Sequence, residues 1–260
     1  MDNAIISKIE NQLAVFEKKV LNDLLKQHKI NPSAFKQVVL TEIRKSETMR
    51  NAFSLSPESL FASIIHCAEL GLSPNQSVGE FFFVPYKSQI RPVLGYKGIV
   101  TLLLRDGGLK TISCESVHEG DEFHYELGLD PVLKHIPADP IRTSFSLTHI
   151  YCVAKTRDDE KPFKVLSKME LEKIINNMQN VNHLYWNDEK DSQFWMLKKI
   201  ALKQLAKLLP KDSLGSKALA IDDHIEGGGL ISLDNESQII YLDEKKPKPK
   251  NMYDKLAYND

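Results

Sequence analysis

The sequence predicts an α+β fold: antiparallel β-hairpins packed with helices, behind a helical N-terminal region and ahead of a disordered C-terminal tail. Three observations predict it. Apolar residues recur at helical spacing through the first 70 residues, the middle of the chain alternates and is punctuated by hairpin turns, and the pattern decays beyond Asp212. The 260 residues accordingly divide into a helical region at 1–55, a core domain at 56–212 and a flexible tail at 213–260. No internal repeat interrupts this order.

The elements follow in turn. Ile5, Ile6, Ile9, Leu13, Phe16, Val20 and Leu24 place a helix over about Asn3 to His28, and "INPSAF" stops it and starts a second over Ser33 to Lys45. A third has its punctuation written out, with Ser56 as N-cap, Pro57 in the first turn and Gly71 just past the end. "GEFFFVPY" and "QIRPVLGY" flank Lys87-Ser88-Gln89 as a hairpin, with Pro85 and Pro92 marking edge or irregular positions. A short helix over Lys97 to Leu104 ends in Asp106-Gly107-Gly108, and "LKTISCESVHEGDEFHYELG" resumes extended structure. "SLTHIYCVAKT" turns through "RDDEK" into "PFKVLS", and Ser167 with Glu170 forms a capping box for the helix "KMELEKIINNMQ". A last helix, Phe194 onward, stops at Pro210. Beyond it, Gly227 to Gly229 and "DEKKPKPKNMYDKL" read as unstructured chain.

Bulk properties narrow the function. A hydrophobic content of 42% suits a packed core, and no apolar run reaches the roughly 18 residues a membrane span needs. The acid-bearing N-terminus lacks a hydrophobic signal core, so a cytoplasmic protein is expected. Cys67, Cys114 and Cys152 lie far apart in apolar surroundings and are expected as buried, reduced thiols.

Net charge is −1, but it is segregated. Between Tyr86 and Lys110, Lys87, Arg91, Lys97, Arg105 and Lys110 face the single acid Asp106. Between Met196 and Lys217, six lysines face Asp212 alone. The acids gather instead at Glu115, Glu119, Asp121, Glu122, Glu126 and Asp130, and again at Asp222, Asp223, Glu226, Asp234 and Glu236. Such a distribution can make a local positive surface on a neutral protein, or merely one-signed solvated faces.

The helix "FWMLKKIALKQLAKLLPK" concentrates the question. Lys199, Lys203 and Lys207 recur at four-residue intervals as a basic stripe with no acid at i±4, whereas Lys198 falls within the apolar arc. An unpaired stripe is expected to await phosphates. Lys198 either snorkels along apolar surface or points into a cleft. Tyr185, Trp186, Phe194 and Trp195 add aromatic rings nearby, which suits single-stranded nucleic acid: cations track phosphates while rings stack on bases. "GYKG" at Gly95 to Gly98 sets Tyr96 and Lys97 at a strand-to-helix transition, either a phosphate-receiving helix start or simply a tight turn. No Gly-rich loop ends in Gly-Lys-Ser or Gly-Lys-Thr, so ATP-driven unwinding or recombination is disfavoured. In "VHEGDEFHYE", His118, Glu119 and Asp121 offer ligands for a metal-dependent nuclease-type site, or else form a structural acidic turn.

The blocks "LGLSPN…FFFVPYKSQIRPVLGYKGIVTLLLRDGGLKTI", "EGDEFHYELGLD" and "MLKKIALKQLAKLLP", in this order between Phe61 and Pro210, resemble the RecT family of phage and prophage single-strand annealing proteins. The resemblance implies ATP-independent binding of single-stranded DNA, its annealing to a complementary strand in phage-type homologous recombination, and no catalytic residues. It implies a homo-oligomer, as a ring or helical filament, and the helical region at 1–55, which lies outside the resemblance, is expected to make the oligomer contacts. It further implies a partner exonuclease, a host single-strand-binding protein and a bacterial or phage-infected cell, with no cofactor beyond a possible divalent cation. The expected DNA-binding residues are Lys87, Arg91, Tyr96, Lys97, Arg105, Trp195, Lys198, Lys199, Lys203 and Lys207. In the closing helix Ile200 replaces the family's usual threonine and Lys203 its usual arginine, which preserves a point charge but not a bidentate fork. The tail's Lys245, Lys246, Lys248 and Lys250 either attract DNA or a single-strand-binding protein, or keep the tail soluble.

Overall fold

The computed structural model describes residues 2–105, 108–138, 142–178, 186–209, 213–234 and 238–242. Its helices and antiparallel sheets make the α+β fold expected. No helix among these residues is long and apolar enough to cross a membrane.

The N-terminal periodicity becomes helix α1 (Asp2–Phe16), a π-helical turn (Glu17–Leu21) and α2 (Asn22–Gln27), with Ile9, Leu13, Leu21 and Leu25 buried. Helix α3 (Pro32–Lys45) is capped by the Asn31 side chain, which accepts from the Ala34 amide. A further helix, α4 (Glu47–Leu55), follows with the Ser46 side chain accepting from Met49 N–H. Helix α5 (Pro57–Leu70) is buried almost all round and threads the core. Pro57 takes its first position, while the Ser56 side chain makes no capping bond. Gly71 ends it at φ +59°, a left-handed turn packed so tightly on the His28 ring that a side chain there would collide with it.

Strands β1 (Phe81–Tyr86) and β2 (Gln89–Leu94) form the expected hairpin, their register running from Phe81 opposite Leu94 to Tyr86 opposite Gln89. Helix α6 (Tyr96–Arg105) follows at once. Strands β3 (Leu109–His118), β6 (Leu147–Thr156) and β7 (Phe163–Ser167) form one antiparallel sheet in the order β3-β6-β7. A separate hairpin, β4 (Glu122–Glu126) with β5 (Val132–Ile136), is inserted between β3 and β6. The capping box at Ser167 and Glu170 is formed and opens α7 (Lys168–Asn176). Cys114 and Cys152 stand opposite each other in the β3–β6 register and are joined as a disulfide. That corrects the expectation of three separate thiols, because strand pairing brings together residues 38 apart in sequence. Cys67 remains free and buried.

The chain beyond residue 212 departs most from expectation. Residues 213–226 form helix α9 (Ser213–Glu226), with Ala218, Leu219, Ile221 and Ile225 buried, and β8 (Leu230–Leu233) pairs with β9 (Ile239–Leu242). Lys217 bridges to Glu69 of α5, and the Leu94 amide donates to Asp222, so α9 is fastened to the core. Of the tail expected at 213–260, residues 213–234 and 238–242 carry these elements, and 243–260, with Lys245 to Lys250, lie outside the described residues.

Candidate nucleic-acid interface

Helix α8 (Trp195–Ala206) lies against β6, β7 and α6 through Leu197, Ala201, Leu202 and Leu205, all buried. Its start is set by Asp191, whose carboxylate accepts the amides of Trp195 and Met196, each at 2.9 Å. Phe194, at φ +59°, turns the chain into the helix and buries its ring beside His118. Of the two adjacent aromatics, Phe194 is thus core and Trp195 is 42% exposed.

The basic stripe is not unpaired, which corrects the expectation built on it. Lys199 lies 3.0 Å from both Asp222 and Glu226. Lys203 lies 2.8 Å from Asp222, 2.7 Å from Asp223 and 2.6 Å from Glu226. Both ammonium groups are buried, and all the partners come from α9. Burial alone would lower the Lys203 pKa, but the Asp222 and Glu226 charges outweigh it and hold the ammonium well above the ordinary lysine range. Burial alone would raise the Asp222 pKa, and Lys199 and Lys203 instead depress it far below the usual carboxylate range. These lysines are counter-ions of the fold. Lys207, at the helix end, is half-exposed and 3.6 Å from Asp223.

Other predicted contacts are also committed to the fold. Arg91 is buried, stacks its guanidinium 3.7 Å from the Tyr86 ring centroid and donates to the Gly228 carbonyl. Arg105 donates to the carbonyls of Leu70 and Gly71, closing the C-terminus of α5. Lys87 sits exposed at the β1–β2 turn, 5.1 Å from the Tyr86 ring. Of the two arginines expected at DNA, Arg91 is thus buried, while Arg105 is exposed and holds two backbone carbonyls.

Three of the predicted residues do come together, Tyr96, Trp195 and Lys198. Tyr96, the first residue of α6, lies 5.1 Å from Trp195, the first residue of α8. Lys198 carries its ammonium 5.1 Å from the Trp195 ring centroid. Lys97 follows Tyr96 and is exposed. The two glycines of "GYKG" explain how α6 is held here: a side chain at Gly95 or Gly98 would strike the carbonyl of Gly79 or Glu80, and Gly95 N–H donates to Glu80 O at 2.8 Å. Lys198 also answers the choice posed by its sequence position. It lines a cavity of about 410 Å³ with Glu115, Ser116, His135, Arg142 and Tyr151, so it points into a cleft. Its ammonium is 3.2 Å from Glu115, a contact no sequence pattern announced across 83 residues. Tyr185 lies outside the described residues, and Trp186 sits 5.8 Å from the Lys168 ammonium instead.

The acidic turn proves structural in its detail. Asp121 accepts from the amides of His118 and Ala138, from His135 and from Arg142, at 2.8–3.1 Å. Burial would raise its pKa, but these donors hold it down to about 2. The His118 ring is bracketed by Ser116 and Ser146, each at 3.0 Å, and Glu119 is exposed. Among the described residues no three His, Cys, Asp or Glu side chains are grouped to hold a metal ion.

The RecT family model matches residues 33–239, more than half of the chain. Protein RecT of Escherichia coli (strain K12) is 29% identical over 195 residues, covering 72% of this chain and 70% of its own length. The uncharacterized protein YqaK of Bacillus subtilis (strain 168) is 38% identical over 65 residues, about a quarter of either chain.

Proposed function

The chain belongs to the RecT family, and from that premise we propose that it binds single-stranded DNA and anneals complementary strands without ATP, in phage-type recombination. What supports the reading is the meeting of two distant sequence blocks: Tyr96 of "GYKG" stands beside Trp195 of the closing helix, whose ring Lys198 also reaches, and Lys97, the next residue after Tyr96, is exposed. Two rings and a cation at one place, with a second cation exposed at the start of α6, are the chemistry that single strands require, with charge for phosphate and flat faces for bases.

A strand held this way keeps its pairing edges available, because a stacked or phosphate-held nucleotide still presents its Watson–Crick face. The complementary strand then reads the sequence, and the protein supplies charge and alignment only. Annealing releases its own base-pairing energy, so no nucleotide hydrolysis is needed to drive it. Lys207 and Lys87, both exposed, extend the same role to phosphates further along the strand. Assembly of several copies into a ring or helical filament would lengthen the track, and an exonuclease and a host single-strand-binding protein would supply and protect the strands.

The test is to mix complementary oligonucleotides with the purified chain in the absence of ATP, following duplex formation by fluorescence and particle shape by electron microscopy. Accelerated annealing supports the reading. Cleavage of the oligonucleotides on adding a divalent cation would favour a nuclease at the His118–Asp121 turn instead.

A further inference from the structure

Lys198 differs from the other buried lysines of α8 in what holds it. Lys199 and Lys203 share carboxylates that are themselves largely buried, on a helix fastened to the core. Among the described residues Lys198 has one carboxylate partner, Glu115 on β3, and that carboxylate is 53% exposed. A pair with one solvated member is loosely held. A lysine stem has four rotatable carbons and a point charge, so the ammonium can change partner without any movement of α8. The contact lies beside the Trp195 ring and within the cleft. The charge of Glu115 is felt across the site: burial first, and this carboxylate second, push the Tyr96 and Tyr151 phenols up.

We propose that Glu115 is a built-in competitor for DNA phosphate, occupying Lys198 in the free protein and yielding it to the strand on binding. This rests on the functional reading above. The chemistry is an anion exchange in which one carboxylate contact is replaced by one phosphate contact, and the freed carboxylate is solvated. It has a use in annealing. Two strands must shift along each other until their bases match, and a strand gripped by uncontested cations shifts slowly. A resident carboxylate on the same lysine lowers the grip at each step and allows the register to be searched.

The experiment compares Glu115→Gln with the wild-type full chain, measuring fluorescence anisotropy of a labelled oligo-dT across a salt series. Glu115→Gln is expected to tighten binding by about 3- to 10-fold, a gain on the scale of a partly exposed ion pair. It is also expected to steepen the slope of log affinity against log salt by up to about one phosphate. Combining it with Lys198→Ala should remove the gain, since the competitor then has nothing to contest. Glu119→Gln, an exposed carboxylate in the turn beyond β3, serves as the control for net charge and should leave affinity unchanged. Should Glu115→Gln lower the melting temperature, Glu115→Asp, which withdraws the carboxylate by one methylene, is expected to give a smaller gain on an intact fold. The proposal is overturned if the wild type binds the oligonucleotide and folded Glu115→Gln or Glu115→Asp binds no tighter, or if Glu119→Gln gains as much. A wild-type chain that binds no oligonucleotide at low salt overturns the functional reading along with it.

Discussion

Lys203 and Asp222 lie 2.8 Å apart, 19 residues apart in sequence, with side chains only 6% and 1% exposed. The pair joins α8 to α9, and Asp222 extends the join to β2 by accepting the Leu94 amide. Charges sealed in this way serve the fold and are withdrawn from any ligand. The strand contacts proposed above therefore rest on residues outside this network, at the start of α6, at Trp195 and Lys198, and at the exposed Lys207 and Lys87.

Removing one member of this network leaves its partners buried and uncompensated. Lys203→Ala is expected to lose about 3–5 kcal/mol of stability, and Asp222→Ala a similar amount. Urea unfolding checks this, with a loss under about 1 kcal/mol contradicting the burial described.

Lys207→Ala should behave differently, because Lys207 and Asp223 are both about half exposed and 3.6 Å apart. Its stability cost is expected below about 1 kcal/mol. In DNA binding the same variant is expected to reduce the salt slope by about one phosphate, measured by anisotropy over a salt series.

Acid should unfold the chain through Asp121 and Asp222. Both carboxylates are depressed in the folded state, Asp121 to about 2 from an ordinary 3.8. A depressed acid contributes stability that is present above its unfolded pKa and is lost as pH falls through the folded one. Stability is therefore expected to hold from neutral pH to about 5 and to fall between about pH 4 and 2. Urea midpoints across that range test it; a flat profile down to pH 2.5 would go against it.

Trp195→Ala removes an exposed ring from the proposed strand-binding surface while Phe194 stays in the core. The expected cost is about 1–3 kcal/mol of oligonucleotide affinity, with little change in melting temperature. Unaltered affinity would move the stacking surface elsewhere.

Much of the fold was legible because its cues are local. The β1–β2 hairpin, the Ser167–Glu170 capping box and the Pro57 and Gly71 ends of α5 are each written within a few residues. What failed was reading charge within a single helix. The absence of an acid at i±4 from Lys199 and Lys203 suggested free cations, yet Asp222 and Glu226 repeat at the same four-residue interval on α9. Matching those two spacings would have paired the helices and given α9 a reason to fold. The partners of Arg91 and Arg105 were illegible for a related reason: composition marks them as charged, but only the fold brings the Gly228, Leu70 and Gly71 carbonyls to them. The meeting of Tyr96 with Trp195, 99 positions apart by their numbers, depends on α6 packing against α8 and was accessible only through the resemblance of their two blocks.

The central claim is that strands are gathered on the surface of Tyr96, Lys97, Trp195 and Lys198. The most direct measurement is the rate of ATP-free annealing of complementary oligonucleotides by the wild type and by a Lys97→Ala, Trp195→Ala double variant shown to melt at the same temperature. Rapid annealing by the wild type and its loss in the double variant is the result the account predicts. Equal rates from the two proteins would contradict it.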